Sequence, residues 1–196
     1  MTASLRGLVL AGGRSRRFGR DKAGVEIDGQ TLLERTVALL GPHCKEVRVS
    51  VRPDQTGDIL RRRFPLLVDP PGKDGPPAAL LAARAASAES AWLVVACDLP
   101  GLDEATLAAL CRARDTSRVA TAVRSPADGL PEPLCAIYEA SGLELFSDLQ
   151  AGEGLSPRDF LQRQAAKLVQ PPAPDALNNM NRPEDLAGLQ AKESRP

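Results

Sequence analysis

Histidine is almost missing from this chain, which contains a single histidine, His43, among its 196 residues. A Ser-His-Asp triad, or a metal site with several histidines, would have to be built around that one side chain. His43 follows Gly41 and Pro42 at the end of a helical pattern, where we expect a surface or helix-end histidine. The composition therefore disfavours hydrolases that depend on a histidine base.

Other absences narrow the class of protein further. The cysteines Cys44, Cys97, Cys111 and Cys135 include no C-x-x-C pair, so neither a zinc site nor a disulfide framework is expected. No apolar run is long enough to span a bilayer, and the first residues do not follow a signal-peptide pattern. Lys and Arg total 25, as do Asp and Glu, so no net charge attracts nucleic acid or an anionic membrane. We expect a cytoplasmic protein that binds neither.

Short apolar runs alternate with amphipathic helical patterns along the chain. The patterns predict strands at 5–10, 47–51, 66–68, 92–96, 119–123, 133–138 and 167–170, and helices at 31–40, 56–63, 76–88, 103–114, 141–149, 156–162 and 183–190. This alternation predicts one α/β domain over 1–191, with a frayed polar tail at 192–196. Its core would be a Rossmann-like, doubly wound, mostly parallel sheet with helices on both faces, and 133–138 would return as a hairpin. Ligands of such sheets bind beyond the carboxyl ends of the strands.

The loop after the first strand carries the strongest functional pattern. The apolar run Leu8–Leu10 leads into the paired glycines Gly12-Gly13, then into several arginines and the pair Asp21-Lys22. Consecutive N–H groups of a glycine loop can bind an anion, and the basic side chains add positive charge. The pattern predicts a polyphosphate site, with a plain glycine-rich turn as the alternative.

Two common phosphate loops are excluded here. A Walker A loop ends in Gly-Lys-Ser/Thr, whereas this loop ends in Gly19-Arg20-Asp21-Lys22. The dinucleotide fingerprint G-x-G-x-x-G also fails, because the first two glycines are adjacent and the next is Gly19. A polyphosphate site in this loop would therefore belong to neither of these two motifs.

The loop resembles the signature LAGG-x-S-x-R-M-G-x-D-K of the molybdenum cofactor guanylyltransferases, the MobA type within the NTP-transferase superfamily. Residues 10–22 match it, with Phe18 in place of the usual Met. The resemblance implies a nucleotide-diphospho-sugar transferase-like fold, and it implies that Arg17 and Lys22 face the triphosphate as catalytic residues. The implied backbone contacts to guanine and phosphates come from Leu10, Ala11, Gly12 and Gly13.

Three later segments extend the resemblance across almost the whole chain. Asp98 follows an apolar strand, and it is implied to be catalytic, to contact the nucleotide and to hold Mg²⁺ beside the phosphates. Asp69 is the implied second acid at the nucleotide, with a turn aspartate as the alternative. Asn179 and Asn181 lie in a segment similar to the family's N-x-N-T-P-E-D-L ending and are implied to bind the acceptor. An Asn-rich helix cap is the alternative there.

Some positions depart from the family pattern, both among the residues implied to bind the nucleotide and among those implied to bind the acceptor. Ser50 stands where the family often has a nucleotide-binding Asn, and it can still form a hydrogen bond with the nucleotide. Pro77 begins the segment that replaces the family's LAG. Gly154-Leu155 replaces two arginines that are implied to hold the acceptor phosphate, a role left to Arg158 or Arg163.

The resemblance implies transfer of GMP from GTP to the phosphate of molybdopterin or of the molybdenum cofactor, with release of pyrophosphate. An acceptor phosphate with a second pKa of about 6 is largely dianionic at neutral pH, so the reaction needs no strong base. The alternatives are a molybdenum cofactor cytidylyltransferase, whose branch usually has LAAG, another small-molecule nucleotidylyltransferase, and a non-catalytic GTP-binding regulator. GTP and molybdopterin are the expected small-molecule partners, and cofactor-synthesis or molybdoenzyme-maturation proteins are candidate protein partners.

Overall fold

Strands and helices alternate along the computed structural model, which describes residues 3–13, 18–152, 154–178 and 180. The strands are β1 (Leu5–Leu10), β2 (Glu26–Ile27), β3 (Gln30–Thr31), β4 (Val47–Val51), β5 (Leu66–Val68), β6 (Ala91–Ala96), β7 (Ala120–Arg124), β8 (Pro131–Tyr138) and β9 (Lys167–Val169). The α-helices are α1 (Leu32–Leu40), α2 (Pro76–Ala86), α3 (Glu104–Arg112), α4 (Ala140–Gly152) and α5 (Pro157–Arg163).

A seven-stranded sheet with the order β5-β4-β1-β6-β8-β7-β9 forms the centre of the molecule. The pairs β1–β4, β1–β6, β4–β5 and β7–β9 are parallel, whereas β8 pairs antiparallel with both β6 and β7. The prediction of a mostly parallel sheet with a returning hairpin at β8 is therefore confirmed.

Apolar side chains are buried on both faces of this sheet. Along β6, Leu93 and Val95 pack into a core cluster with α1 and α3, while Trp92 and Val94 pack into a second cluster with α2, α4 and α5. All these β6 side chains are fully buried, which explains the continuous apolar run of a central strand. Helices on both faces were predicted, and this is confirmed.

Local capping signals placed several helix starts correctly. Thr31 caps α1 in a capping box with Glu34, Asp103 caps α3, and Ser156 caps α5 with Pro157 in its first turn. His43 lies in the short 3₁₀ turn after α1, where its Nε2 is 2.9 Å from Glu104 Oε1, so the expected helix-end position is correct.

Two segments differ from the prediction. The helix expected at 56–63 is wrong, because the chain there forms turns and a 3₁₀ turn at Arg61–Arg63. A small hairpin, β2–β3, was not predicted; Asp28 and Gly29 form its turn with φ values of 52° and 76°.

Other predictions are not decided by the described part of the chain. The helix at 183–190 lies outside it, and the domain limits 1–191 and 192–196 stay predictions. Among the described residues, no helix combines the length and apolar character needed to cross a membrane.

Candidate active site

A cavity of about 170 Å³ opens at the carboxyl ends of the parallel strands. All eight residues predicted to bind the nucleotide line it: Leu10, Ala11, Gly12, Gly13, Lys22, Ser50, Asp69 and Asp98. They come from four separate parts of the sequence. The fold therefore brings the predicted nucleotide residues to one place.

Strand register explains this convergence. Leu10 at the end of β1 is paired with Ser50 on β4 on one side and with Ala96 on β6 on the other. The chain continues from β5 into Asp69 and from β6 into Asp98. Because β4 and β6 flank β1 on opposite sides, the strand order reverses at this point, which is where ligands of open α/β sheets bind.

Lys22 and Asp98 form an ion pair in the cavity. Lys22 Nζ donates to Asp98 Oδ2 at 2.9 Å, and the two side chains are 14% and 26% exposed. Lys22 begins a 3₁₀ turn whose preceding residue, Asp21, accepts a hydrogen bond from the N–H of Ala23. The predicted catalytic cation and the predicted metal-binding carboxylate are thus in direct contact.

Ser50 and Asp69 form a second polar pair deeper in the cavity. The hydroxyl of Ser50 donates to Asp69 Oδ1 at 2.8 Å, and both residues are buried. Burial raises the pKa of the Asp69 carboxyl, against the hydrogen bond from Ser50 and the positive charge of Arg52, which lower it. The hydroxyl of Ser50 is committed to Asp69, so Ser50 orients this carboxylate.

Two arginines that do not line the cavity hold the glycine loop. Arg61 donates to the carbonyl of Ala11, and Arg52 Nη1 donates to the carbonyl of Gly12. A trans peptide points its N–H away from its carbonyl. The N–H groups of Gly12 and Gly13 are therefore turned away from the arginines, as an anion-binding loop requires.

The start of α2 adds little to this set of donors. Gly75 precedes the helix with φ +71°, and Pro76 and Pro77 occupy its first turn without any N–H. The N–H groups of Ala78 and Ala79 both contact the carbonyl of Gly75, at 3.0 and 3.4 Å. The departure at Pro77 thus removes one N–H donor from the start of α2.

Sequence reasoning missed Glu132 on β8. The residue is 9% exposed, and the pKa of its carboxyl is raised by burial, with further raising effects from the charges of Asp128 and Asp98. Arg158 Nη1 donates to Asp128 Oδ2 at 2.7 Å, and its Nη2 donates to Glu132 Oε2 at 3.3 Å. A buried acid beside two prolines gave no functional signal in the sequence. Arg158, the expected substitute for a missing family arginine, is paired with these two carboxylates.

Met180, the last described residue, is hydrogen-bonded to the backbone of the cavity residue Asp98. Its N–H donates to the carbonyl of Asp98 at 3.0 Å, and its side chain is fully buried against the cluster of Phe18, Val25, Ile27 and Leu32. The predicted acceptor residues Asn179 and Asn181, on either side of it, lie outside the described residues. The predicted catalytic Arg17 also lies outside them.

The donor set at the cavity suits a magnesium ion that is shared with a substrate. No group of three or more His, Cys, Asp or Glu side chains that would hold a metal occurs in the described part of the chain. Mg²⁺ usually binds through one or two carboxylates and completes its shell with water and substrate phosphates. Asp98, partly exposed at the cavity, fits that mode.

Sequence comparison places relatives across nearly the whole chain. The family model described as the MobA-like NTP transferase domain matches residues 7–168. A molybdenum cofactor guanylyltransferase of Shewanella sp. (strain ANA-3) is 31% identical over 196 residues, covering 98% of each chain. A molybdenum cofactor biosynthesis bifunctional protein of Synechocystis sp. is 34% identical over 185 residues. The match covers 94% of this chain but only 53% of the Synechocystis protein, so this chain spans about half of that protein's length.

Structural comparison agrees in fold. The crystal structure of molybdopterin-guanine dinucleotide biosynthesis protein A from Archaeoglobus fulgidus superposes with a TM-score of 0.77 over 96% of this chain and 98% of that one, at 22% identity. At that identity the match establishes the fold alone, which is the nucleotide-diphospho-sugar transferase-like fold expected from the sequence. Because the family model covers residues 7–168 and the Shewanella relative covers nearly every residue, this chain belongs to the family of MobA-like NTP transferases.

Proposed function

We propose that this protein transfers GMP from GTP to the phosphate of molybdopterin or of the molybdenum cofactor, forming the guanine dinucleotide cofactor and pyrophosphate. Its relatives over almost the full chain length bear the name of that activity. The observation that carries the proposal is the single cavity where Gly12, Gly13, Lys22 and Asp98 meet. These groups supply N–H donors, a cation and a carboxylate, which are what nucleotidyl transfer requires.

The residues act by position and charge. The N–H groups of Gly12 and Gly13 bind phosphate oxygens, and the ammonium of Lys22 offsets negative charge that develops as pyrophosphate departs from the α-phosphorus. Arg17 is proposed to add a second cation at the triphosphate. An acceptor phosphate oxygen attacks the α-phosphorus, the bond to the pyrophosphate oxygen breaks, and no proton has to leave a dianionic phosphate first.

Asp98 is proposed as the protein ligand of Mg²⁺. A bound Mg²⁺ neutralises phosphate charge and orients the triphosphate. Asp98 suits this role because its carboxylate reaches the cavity, where the hydrogen bond from Lys22 orients it. The carbonyl of Asp98 accepts from Met180, which fixes the backbone that carries the carboxylate.

Asp69 is proposed to bind the nucleoside. With Oδ1 held by Ser50, its Oδ2 faces Gly12, at 3.5 Å from the position that a Cβ of Gly12 would take. A carboxylate there accepts hydrogen bonds from a base N–H or a ribose hydroxyl, or through a bridging water. Leu10 and Ala11 form the adjoining backbone wall, and Asn179 and Asn181 are proposed to bind the acceptor.

Three alternatives share parts of this site. A cytidylyltransferase or another small-molecule nucleotidylyltransferase would keep the same phosphate machinery, and a GTP-binding regulator would keep it without turnover. The guanine preference rests on family resemblance at Gly13. The cytoplasmic location and any protein partners stay predictions.

Labelled GTP, CTP and ATP, each incubated with the purified protein, Mg²⁺ and molybdopterin, test the proposal. We expect pyrophosphate release and a labelled dinucleotide product with GTP, and neither with CTP or ATP. Turnover with CTP alone would select the cytidylyltransferase. Tight GTP binding without release of pyrophosphate would select the regulator.

A further inference from the structure

Arg61 is the most deeply buried charged residue near the cavity, yet it does not line it. Its side chain is 1% exposed, although it belongs to the polar run Arg61-Arg62-Arg63. Burying a guanidinium is costly unless its N–H groups find acceptors and its charge finds a partner. The acceptors of Arg61 therefore indicate what this burial achieves.

Those acceptors are the two ends of the nucleotide loop. Nε and Nη2 of Arg61 donate to the carbonyl of Ala11 at 3.0 and 2.8 Å. Nη1 and Nη2 donate to Oδ2 and Oδ1 of Asp21 at 2.6 and 2.9 Å, a bidentate geometry. Asp58 lies 3.2 Å from Nη1 and completes the site. One guanidinium thus joins the residue before Gly12 to the residue before Lys22.

Each end has a consequence inside the cavity. Holding the carbonyl of Ala11 fixes its peptide plane and so the direction of the Gly12 N–H. Holding Asp21, which also accepts from the N–H of Ala23, fixes the 3₁₀ turn that begins at Lys22. Asp21 is 44% exposed at its side chain, so in water alone it would have many orientations. Arg61 restricts both the amide donor and the cation.

We infer that Arg61 is a positioning residue for nucleotidyl transfer, which acts through Ala11 and Asp21 to aim the Gly12 N–H and the Lys22 ammonium at the triphosphate. The inference rests on the proposed function and adds a residue to it. Arg61 itself touches no substrate in this assignment. Lysine at this position would keep the charge, but its point-like ammonium cannot reproduce the planar fork.

The chain contains a closely matched control. Arg114 donates to both carboxylate oxygens of Glu139 at 2.7 and 2.8 Å, and to the carbonyl of Ala3 at 3.0 Å. It is therefore a second arginine with a bidentate acid and a backbone carbonyl, and its side chain is 13% exposed. Ala3 precedes β1, so this arrangement lies at the amino end of that strand, whereas the cavity lies at its carboxyl end. Arg114→Lys should perturb the fold much as Arg61→Lys does, without touching the site.

The test compares Arg61→Lys, Asp21→Asn and Arg114→Lys by melting temperature, GTP affinity and pyrophosphate release with molybdopterin and Mg²⁺. Arg61→Lys should lower kcat by about 10- to 100-fold, the scale of misplacing a catalytic group by about 1 Å, and it should also weaken GTP binding. Asp21→Asn leaves the Ala11 carbonyl as an acceptor for Arg61, so it should lower kcat with a smaller loss of GTP affinity than Arg61→Lys causes. Arg114→Lys should stay within about twofold of the unaltered protein in both quantities.

A double variant separates positioning from general loosening of the fold. In a Lys22→Met background, Asp21→Asn should lower kcat by less than about twofold more, because the group that Asp21 positions is already gone. An undiminished effect in that background would refute the inference, as would equal losses in Arg61→Lys and Arg114→Lys. Should Arg61→Lys fail to fold, the Asp21→Asn pair alone decides.

Failure of the proposed function would look different. It would appear in the unaltered protein as GTP binding without transfer to molybdopterin. The positioning by Arg61 is then measured from GTP affinity alone, which Arg61→Lys should weaken by about tenfold relative to Arg114→Lys. Equal affinities would overturn it.

Discussion

Replacing Lys22 with methionine should separate catalysis from stability. The ammonium of Lys22 lies 2.9 Å from Asp98 Oδ2, and the side chains of the pair are 14% and 26% exposed. Because water reaches both partners, losing the pair should lower the free energy of unfolding by no more than about 1 kcal/mol. In the proposed transition state the same ammonium faces developing phosphate charge. Removal of one such preorganised group typically costs about 10²- to 10³-fold in kcat, or about 3–4 kcal/mol.

Pyrophosphate release under saturating GTP, Mg²⁺ and molybdopterin measures the first quantity, and urea unfolding measures the second. Lys167→Met is the control. Lys167 lies on β9, away from the cavity, and its Nζ is 3.9 Å from Asp115 Oδ2. It should change kcat by less than about twofold. The reasoning fails if Lys22→Met retains kcat within about threefold, or if its unfolding free energy falls by several kcal/mol.

Three further predictions concern the same cavity. Asp69→Asn should weaken GTP binding yet raise the free energy of unfolding at pH 7. Burial raises the pKa of Asp69 above its ordinary 3.8, so ionisation of this acid destabilises the folded state as the pH rises. The neutral asparagine removes that destabilisation. Urea unfolding should show that gain shrinking as the pH is lowered towards 3.8, and an unchanging difference would contradict it. Gly12→Ala should fold normally, since its Cβ would meet Asp69 Oδ2 at 3.5 Å and Arg52 Cγ at 3.7 Å, but the methyl group should raise KM for GTP about tenfold. Gly41→Ala, whose Cβ meets nothing within 4 Å, is its control. Asp98→Asn should raise the Mg²⁺ concentration for half-maximal turnover by about tenfold or more, and chelation by EDTA should abolish turnover reversibly; full turnover in EDTA would refute the metal role.

Local signals explain why much of the fold was predictable. The capping box of Thr31 and Glu34 and the Ser156-Pro157 start act within one turn of chain, so the sequence alone contains the contact. The uninterrupted apolar sequence of β6 likewise predicts a strand that is buried on both faces. The hairpin β2–β3 was missed although Asp28-Gly29 is a typical two-residue turn, because its strands are too short to show alternation.

The placement of the candidate site residues was predictable where a motif fixes it and unpredictable where tertiary contacts do. Lys22, Asp69 and Asp98 follow strand ends or the glycine loop, and strand register then brings them together. Arg61 looks like its exposed neighbours in a basic run, and its burial depends on Asp21, 40 residues away. The helix predicted at 56–63 is wrong in the same region, where the local pattern does not show that Arg61 contacts Ala11 and Asp21. Glu132 was missed for the same reason.

The hydrogen bond from Met180 to Asp98 has a consequence for synthesis of the chain. The glycine loop and Lys22 emerge from the ribosome early, but the segment that packs on Phe18 and closes beside Asp98 emerges only after residue 180. Until then the cluster lacks the fully buried side chain of Met180, which packs against Phe18, Val25, Ile27 and Leu32. A nascent chain therefore contains the glycine loop, Lys22 and Asp98 well before Met180 can cover this cluster and donate to the carbonyl of Asp98.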